Sequence, residues 1–165
     1  MTDPTEHVHQ RLELSKQLLK ADGFAGPVLL LFGEGRGRIF PISFDDDEPR
    51  EIKMAALVES VSAWQFDGAV YASETWLGRP GSKGQLLGVP ASRLLPSNRE
   101  FFNDDSLGQR DEGLIVVGMS ASGKGRVLTQ PFGRVVGGYI FGKVMIDESG
   151  REVPDFLRPI WERWN

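Results

Sequence analysis

A chain of 165 residues with no cysteine and a net charge of −4 is long enough for one domain that buries about two-thirds of its unfolded surface without disulfides. The missing cysteine excludes Cys-ligated zinc, iron–sulfur clusters and thiol catalysis, and the acidic balance argues against a general nucleic-acid binder, which needs concentrated Lys and Arg. Met1-Thr-Asp-Pro-Thr-Glu6 lacks the basic and apolar regions of a signal peptide, and runs such as Val28 to Phe32 are too short to span a bilayer, so a soluble, cytoplasmic protein with no membrane partner is expected.

Asp3-Pro4 with Glu6 has the form of a helix start: an N-cap, a proline at the first position and an acid in the first turn. The helix is predicted to reach about Ala21, with one apolar stripe of Val8, Leu12 and Leu19, another of Leu14, Leu18 and Ala21, and Gly23 as its stop. His7 and His9 lie within it about 200° apart, so they cannot share a metal. The chain has no other histidine, which removes Ser-His-Asp catalysis and His-ligated zinc. No metal or cofactor is expected.

Pro27 to Phe32 and Arg38 to Phe44 read as two strands joined by Gly33-Glu-Gly-Arg-Gly37. That turn is G-x-G-x-G rather than the dinucleotide fingerprint G-x-G-x-x-G, and a strand follows it instead of a helix. Asp45-Asp-Asp-Glu48 lacks the glycine and terminal Glu of a calcium loop and suits the start of a second helix running to about Gln65. Met54, Leu57, Val58, Val61 and Trp64 form that helix's buried stripe.

Gly68 to Leu77 reads as a central strand with Val70, Ala72, Glu74 and Trp76 on one face. A carboxylate on such a face needs a cation or hydrogen-bond donor, and Arg79 and Arg110 are the natural candidates. A long insertion follows at about 78–112, with a helical turn expected around Pro90 to Leu95 and scattered basic residues (Arg79, Lys83, Arg93, Arg99, Arg110) read as solvated loop charges.

Three strands are predicted after it, at Gly113 to Met119, Gly125 to Gln130 and Val135 to Ile146, with turns at Ser120 to Lys124, Gly133-Arg134 and Asp147 to Gly150. The first turn lies in Gly118-Met-Ser-Ala-Ser-Gly123-Lys124-Gly125, one residue away from a phosphate-binding P-loop. A P-loop needs a Ser or Thr after the lysine to hold Mg²⁺ and a helix immediately behind it. Here Gly125 and a strand stand in those places, so a hairpin is favoured over nucleotide binding through Lys124. Pro154 to Trp164 is expected to close the chain as a short amphipathic helix, whose Trp161 and Trp164 either dock on the core or, if exposed, mark a partner surface together with Trp76.

Ser73-Glu-Thr-Trp76 at a strand end, followed by Arg110-Asp-Glu-Gly-Leu-Ile-Val-Val117, resembles a group of small bacterial and phage-borne proteins with a "SEaW … dReegLvv" pattern. The resemblance covers the middle third of the chain and implies a bacterial or phage setting and a role for the Glu74, Trp76 and Arg110 region, without a reaction. The expected fold is α+β: a mainly antiparallel sheet of about six strands in one domain, with two to three helices packed on one face. The functional expectation is a non-enzymatic binding or accessory protein with a possible protein partner. The alternatives are a small hydrolase or transferase using Glu74 as acid or base, with Ser73, Arg79 and Arg110 nearby, and nucleotide binding through the Gly118–Gly125 loop.

Overall fold

A computed structural model describes residues 4–44, 46–78, 110–149 and 153–165, with side chains omitted at 4, 5, 76–78, 110 and 111. In chain order the elements are α1 (Pro4–Asp22), β1 (Val28–Gly33), β2 (Arg36–Pro41), α2 (Arg50–Ser60), β3 (Gly68–Gly78), β4 (Arg110–Ser120), β5 (Gly125–Val135), β6 (Gly138–Phe141) and β7 (Met145–Asp147). A 3₁₀ turn at Asp155–Leu157 and α3 (Arg158–Glu162) close the chain. The strands form one open antiparallel sheet in the order β2-β1-β3-β4-β5-β6, with β7 also on the outer edge of β5. The expected α+β class is what the chain adopts. No helix among the described residues is long and apolar enough to cross a membrane.

The helices cover both faces of the sheet, which corrects the one-face expectation. Leu29, Leu31, Ala69, Tyr71, Ile115, Val117 and Val127 share a core with Met54 and Val58 of α2 and with Leu157 and Ile160 at the C-terminus. The alternate residues Val28, Val70, Ala72, Leu114, Val116, Leu128 and Phe132 share another with Val8, Leu12 and Leu19 of α1. The cause is the period of two along each strand: Leu114-Ile-Val-Val117 is apolar without interruption, so both faces need covering. Each fully buried Leu, Ile or Met contributes roughly 1.5–3 kcal/mol.

On α1 the first stripe packs as expected, but Leu14 and Ala21 of the second are exposed and Ser15 is buried instead. His7 stacks on Phe32 at 4.9 Å between ring centres. Helix α2 stops at Ser60 rather than Gln65, and Val61 and Trp64 are buried from the turns behind it. The acids before α2 act locally: Asp46 Oδ1 accepts the Glu48 N–H at 3.1 Å, and Oδ2 pairs with Lys53 at 2.7 Å.

Two hairpins set the topology. Glu34 (φ 53°) and Gly35 (φ 75°) form the two-residue turn between β1 and β2, the left-handed pair that matches strand twist. Strands β4 and β5 are joined by the second turn, closed by Ser120 N–H to Lys124 O at 2.9 Å, with Gly123 at φ 88°. The Gly118–Gly125 segment is therefore the tip of an antiparallel hairpin with no helix behind it.

Beyond that hairpin the expected turn at Gly133-Arg134 does not exist. Strand β5 runs through both residues to Val135, and the chain reverses at Val136-Gly137, where Gly137 supplies φ 93°. The single strand expected from Val135 to Ile146 is two strands, β6 and β7. Pro131 accounts for the gap between them. Its carbonyl accepts the Gly142 N–H at 2.8 Å, and since a strand residue points its N–H and C=O to the same edge, its missing donor falls there too. Gln130 Nε2 donates to Gly142 O at 2.9 Å and covers the break.

Strands β3 and β4 pair over eleven residues, from Gly68–Ser120 to Gly78–Arg110, so Arg110, Asp111 and Glu112 belong to the sheet rather than to the insertion. The helical turn expected near Pro90 to Leu95 lies outside the described residues. At the C-terminus the 3₁₀ turn and α3 replace one continuous helix, with Leu157 and Ile160 fully buried.

Candidate functional site

Glu74 follows Val70 and Ala72 on the α1 face of β3, just beyond the point where α1 ends. Its backbone N–H donates to Ala25 O at 3.2 Å, and its Oε2 accepts the Ala25 N–H at 2.9 Å, which ties the α1–β1 connection to the sheet. Its Oε1 accepts from Arg134 Nη2 at 3.2 Å. Arg134 lies on β5 two residues beyond Phe132, so the same alternation that buries Phe132 against α1 aims the guanidinium at Glu74.

Arg134 holds four groups among the described residues. Its Nε donates to Glu112 Oε1 at 3.5 Å, and Nη1 donates to Tyr139 Oη at 3.0 Å and Gly23 O at 3.4 Å, in addition to the Glu74 contact. The guanidinium also faces the rings of Phe132 and Tyr139, at 5.6 and 5.4 Å from their centres. Burial pushes the Glu74 carboxyl above its usual 4.5, with Glu112 adding to the push, while the Ala25 N–H and Arg134 oppose it.

A cavity of about 360 Å³ opens over this network, lined by Phe24, Arg50, Glu74, Thr75, Glu112, Phe132 and Arg134. Arg50, the first residue of α2, reaches it over the aromatic rings of Phe44 (4.5 Å) and Phe156 (5.6 Å) and makes no ion pair among the described residues. Phe24, directly after the α1 stop, is 61% exposed. Among the described residues no group of three or more His, Asp or Glu side chains is arranged to hold a metal ion.

The residues singled out from the sequence scatter. Ser73 is buried and its hydroxyl donates to Glu74 O at 2.8 Å, but its side chain alternates to the face opposite the Glu74 carboxylate. Arg79 lies outside the described residues. Arg110 is placed by its backbone opposite Gly78, and Trp76 by its backbone opposite Glu112. Lys124 sits at the other end of β4, remote from Glu74. Trp161 and Trp164 are half-buried: Trp164 Nε1 donates to Phe66 O at 2.8 Å, and its ring meets Phe66 edge-on at 5.9 Å.

Among the described residues the cation paired with Glu74 is thus Arg134, while the expected candidates, Arg79 and the Arg110 side chain, lie outside them. Reading Gly133-Arg134 as a turn hid it, although Leu128, Gln130, Phe132 and Arg134 already alternate onto one face. Glu112 was missed for a related reason, because its segment was assigned to the insertion. Comparisons with protein-family models, curated proteins and solved structures found no match.

The raised Glu74 carboxyl sets a pH dependence whose sign is opposite to that of an ordinary stabilising ion pair. A carboxyl whose pKa is higher folded than unfolded contributes stability below the unfolded value and loses it as pH rises through the folded one. Measured against Glu74→Gln, wild-type protein should lose relative stability as pH rises from about 4 to 7. Melting curves of the two proteins across that range check it; a wild-type advantage that grows with pH would show that Arg134 outweighs burial.

Proposed function

We propose that this chain is a non-enzymatic binding or accessory protein, of a bacterial or phage system as the resemblance implies, and that its partner seats in the cleft above Glu74 and Arg134. The observation that carries the reading is the occupancy of Glu74. One carboxylate oxygen takes the Ala25 N–H and the other takes Arg134, so the group is held as a structural tie between α1, β3 and β5. Each oxygen keeps a second lone pair, but the two bonds orient the carboxylate toward Ala25 and Arg134, whereas a general base is oriented toward a substrate proton.

What faces outward around that tie is suited to recognition. Phe24 offers a large exposed ring, and Arg50 a guanidinium stacked on aromatics with no ion pair among the described residues. Aromatic and Arg side chains are the types that dominate binding energy at protein interfaces. The test compares wild-type protein with a Phe24→Ala, Arg50→Ala double variant, both exposed positions that leave the core intact, in capture from host lysate. One discrete partner retained by the wild type and lost by the double variant at unchanged melting temperature is the expected result. Monodisperse protein without a partner, or equal capture by both, overturns the reading.

The burial-raised carboxyl of Glu74 beside Glu112 favours a second reading, a small hydrolase or transferase with Glu74 as acid or base. Glu74→Gln tests the second reading: turnover abolished at unchanged melting temperature supports the enzyme, whereas capture in the binding protein depends on Phe24 and Arg50.

A further inference from the structure

We propose that a second pocket, at the opposite end of the sheet, binds a small planar aromatic molecule that carries a carboxylate or phosphate. It has a volume of about 200 Å³ and lies between the β4–β5 turn and the C-terminal segment. The structure thereby joins two features that stand far apart in the sequence, the lysine of the Gly118–Gly125 turn and the tryptophan pair of the C-terminus.

Trp161 and Trp164 form its aromatic side and Met119 adds apolar surface. Trp164 is fixed by its bond to Phe66 O and its edge contact with the Phe66 ring, so this wall needs little ordering on binding. A rigid indole face favours a flat, polarisable ring, which stacks on it.

Among the described residues that line the pocket, the charge without an ion pair is positive. Glu148 is paired with Arg126 at 2.5 Å, while Lys124 is exposed and makes no ion pair among the described residues. An ammonium on a flexible stem recognises an anion as a point charge, and a carboxylate or phosphate supplies a charge-assisted bond. Ser120 adds a hydroxyl: the Ser120 and Ser122 hydroxyls lie 2.6 Å apart and share one hydrogen bond, which leaves the pair one proton to donate outward. The volume suits a one- or two-ring molecule with its anionic group. This site is separate from the cleft above Glu74, so its failure would leave the binding reading there untouched.

The test follows the four tryptophan indole N–H signals of the full chain by ¹H–¹⁵N NMR, with Trp161 and Trp164 assigned by Trp161→Phe and Trp164→Phe. Indole-3-carboxylate and adenosine 5′-monophosphate are titrated separately, and uncharged indole serves as the control. Saturable shifts of the Trp161 and Trp164 signals with at least one anion are expected, and which anion binds distinguishes a carboxylate from a phosphate ligand. Binding should weaken roughly tenfold both for indole and in Lys124→Ala, an exposed turn position whose replacement spares the core. Absence of saturable shifts with both anions, or equal binding by indole or by Lys124→Ala, overturns the proposal.

Discussion

Gly33→Ala is expected to destabilise the protein by about 3 kcal/mol or more, the upper end of the penalty for overfilling a packed site. A Cβ at this position would lie 2.2 Å from Gln65 O and 2.6 Å from Phe66 Cα. Both are backbone atoms, so no side chain can swing aside. The segment they belong to is lashed down by Asp67 N–H to Phe32 O at 2.8 Å and by the buried rings of Trp64 and Phe66. For a chain of this size the loss corresponds to a fall of roughly 6 to 12 °C in melting temperature. Gly35→Ala is the control. Gly35 needs its left-handed φ of 75° but has nothing within 4 Å of an added Cβ, so it should cost only about 1 kcal/mol. If Gly33→Ala melts no lower than Gly35→Ala, the close approach of residues 65 and 66 is not what requires the glycine.

Arg134→Ala should cost about 3 kcal/mol, because it strips two carboxylates of a shared cation while leaving both in place. Removing one partner of a buried pair costs roughly 3–5 kcal/mol. The lower end applies because the Arg134, Glu74 and Glu112 side chains keep 25%, 20% and 15% of their surface accessible. The loss also frees the Tyr139 hydroxyl and Gly23 O and opens the ring faces that Arg134 covers. Adding Glu74→Gln to Arg134→Ala should restore part of the stability, since one stranded charge is gone. Denaturant midpoints of the two single variants and the double variant test this coupling; strictly additive losses would show that Arg134 acts through packing alone.

The readable parts of the chain were those governed by local rules. The proline and acid at the start of α1, the glycine turn after β1 and the Ser120–Lys124 reversal each declare themselves within a few residues, and the structure has all three. The tie at Glu74 was half legible. A carboxylate in line with Val70 and Ala72 demands a partner, but that partner is 60 residues away on β5 and no local pattern names it. Two adjacent glycines, Gly137 and Gly138, mark the true reversal; Gly133, beside the charged Arg134, drew the turn to the wrong place and took Arg134 out of its strand. The second helical layer was legible in principle. Ala69 and Tyr71 are as apolar as Val70 and Ala72, and a central strand without a polar face implies cover on both sides.

Strand β2 ends the sheet on one side, and five of its six residues are exposed. An open strand edge is a template on which other chains can polymerise. Here Arg36 and Arg38 place positive charge along that edge, Arg38 is held over the Trp64 ring at 4.9 Å, and Pro41 at the strand's end has no N–H to offer. A second strand laid against β2 would have to desolvate two guanidinium groups and forgo a ladder bond. The residues that leave β2 so poorly covered thus also defend the fold against stacking into fibres at high concentration.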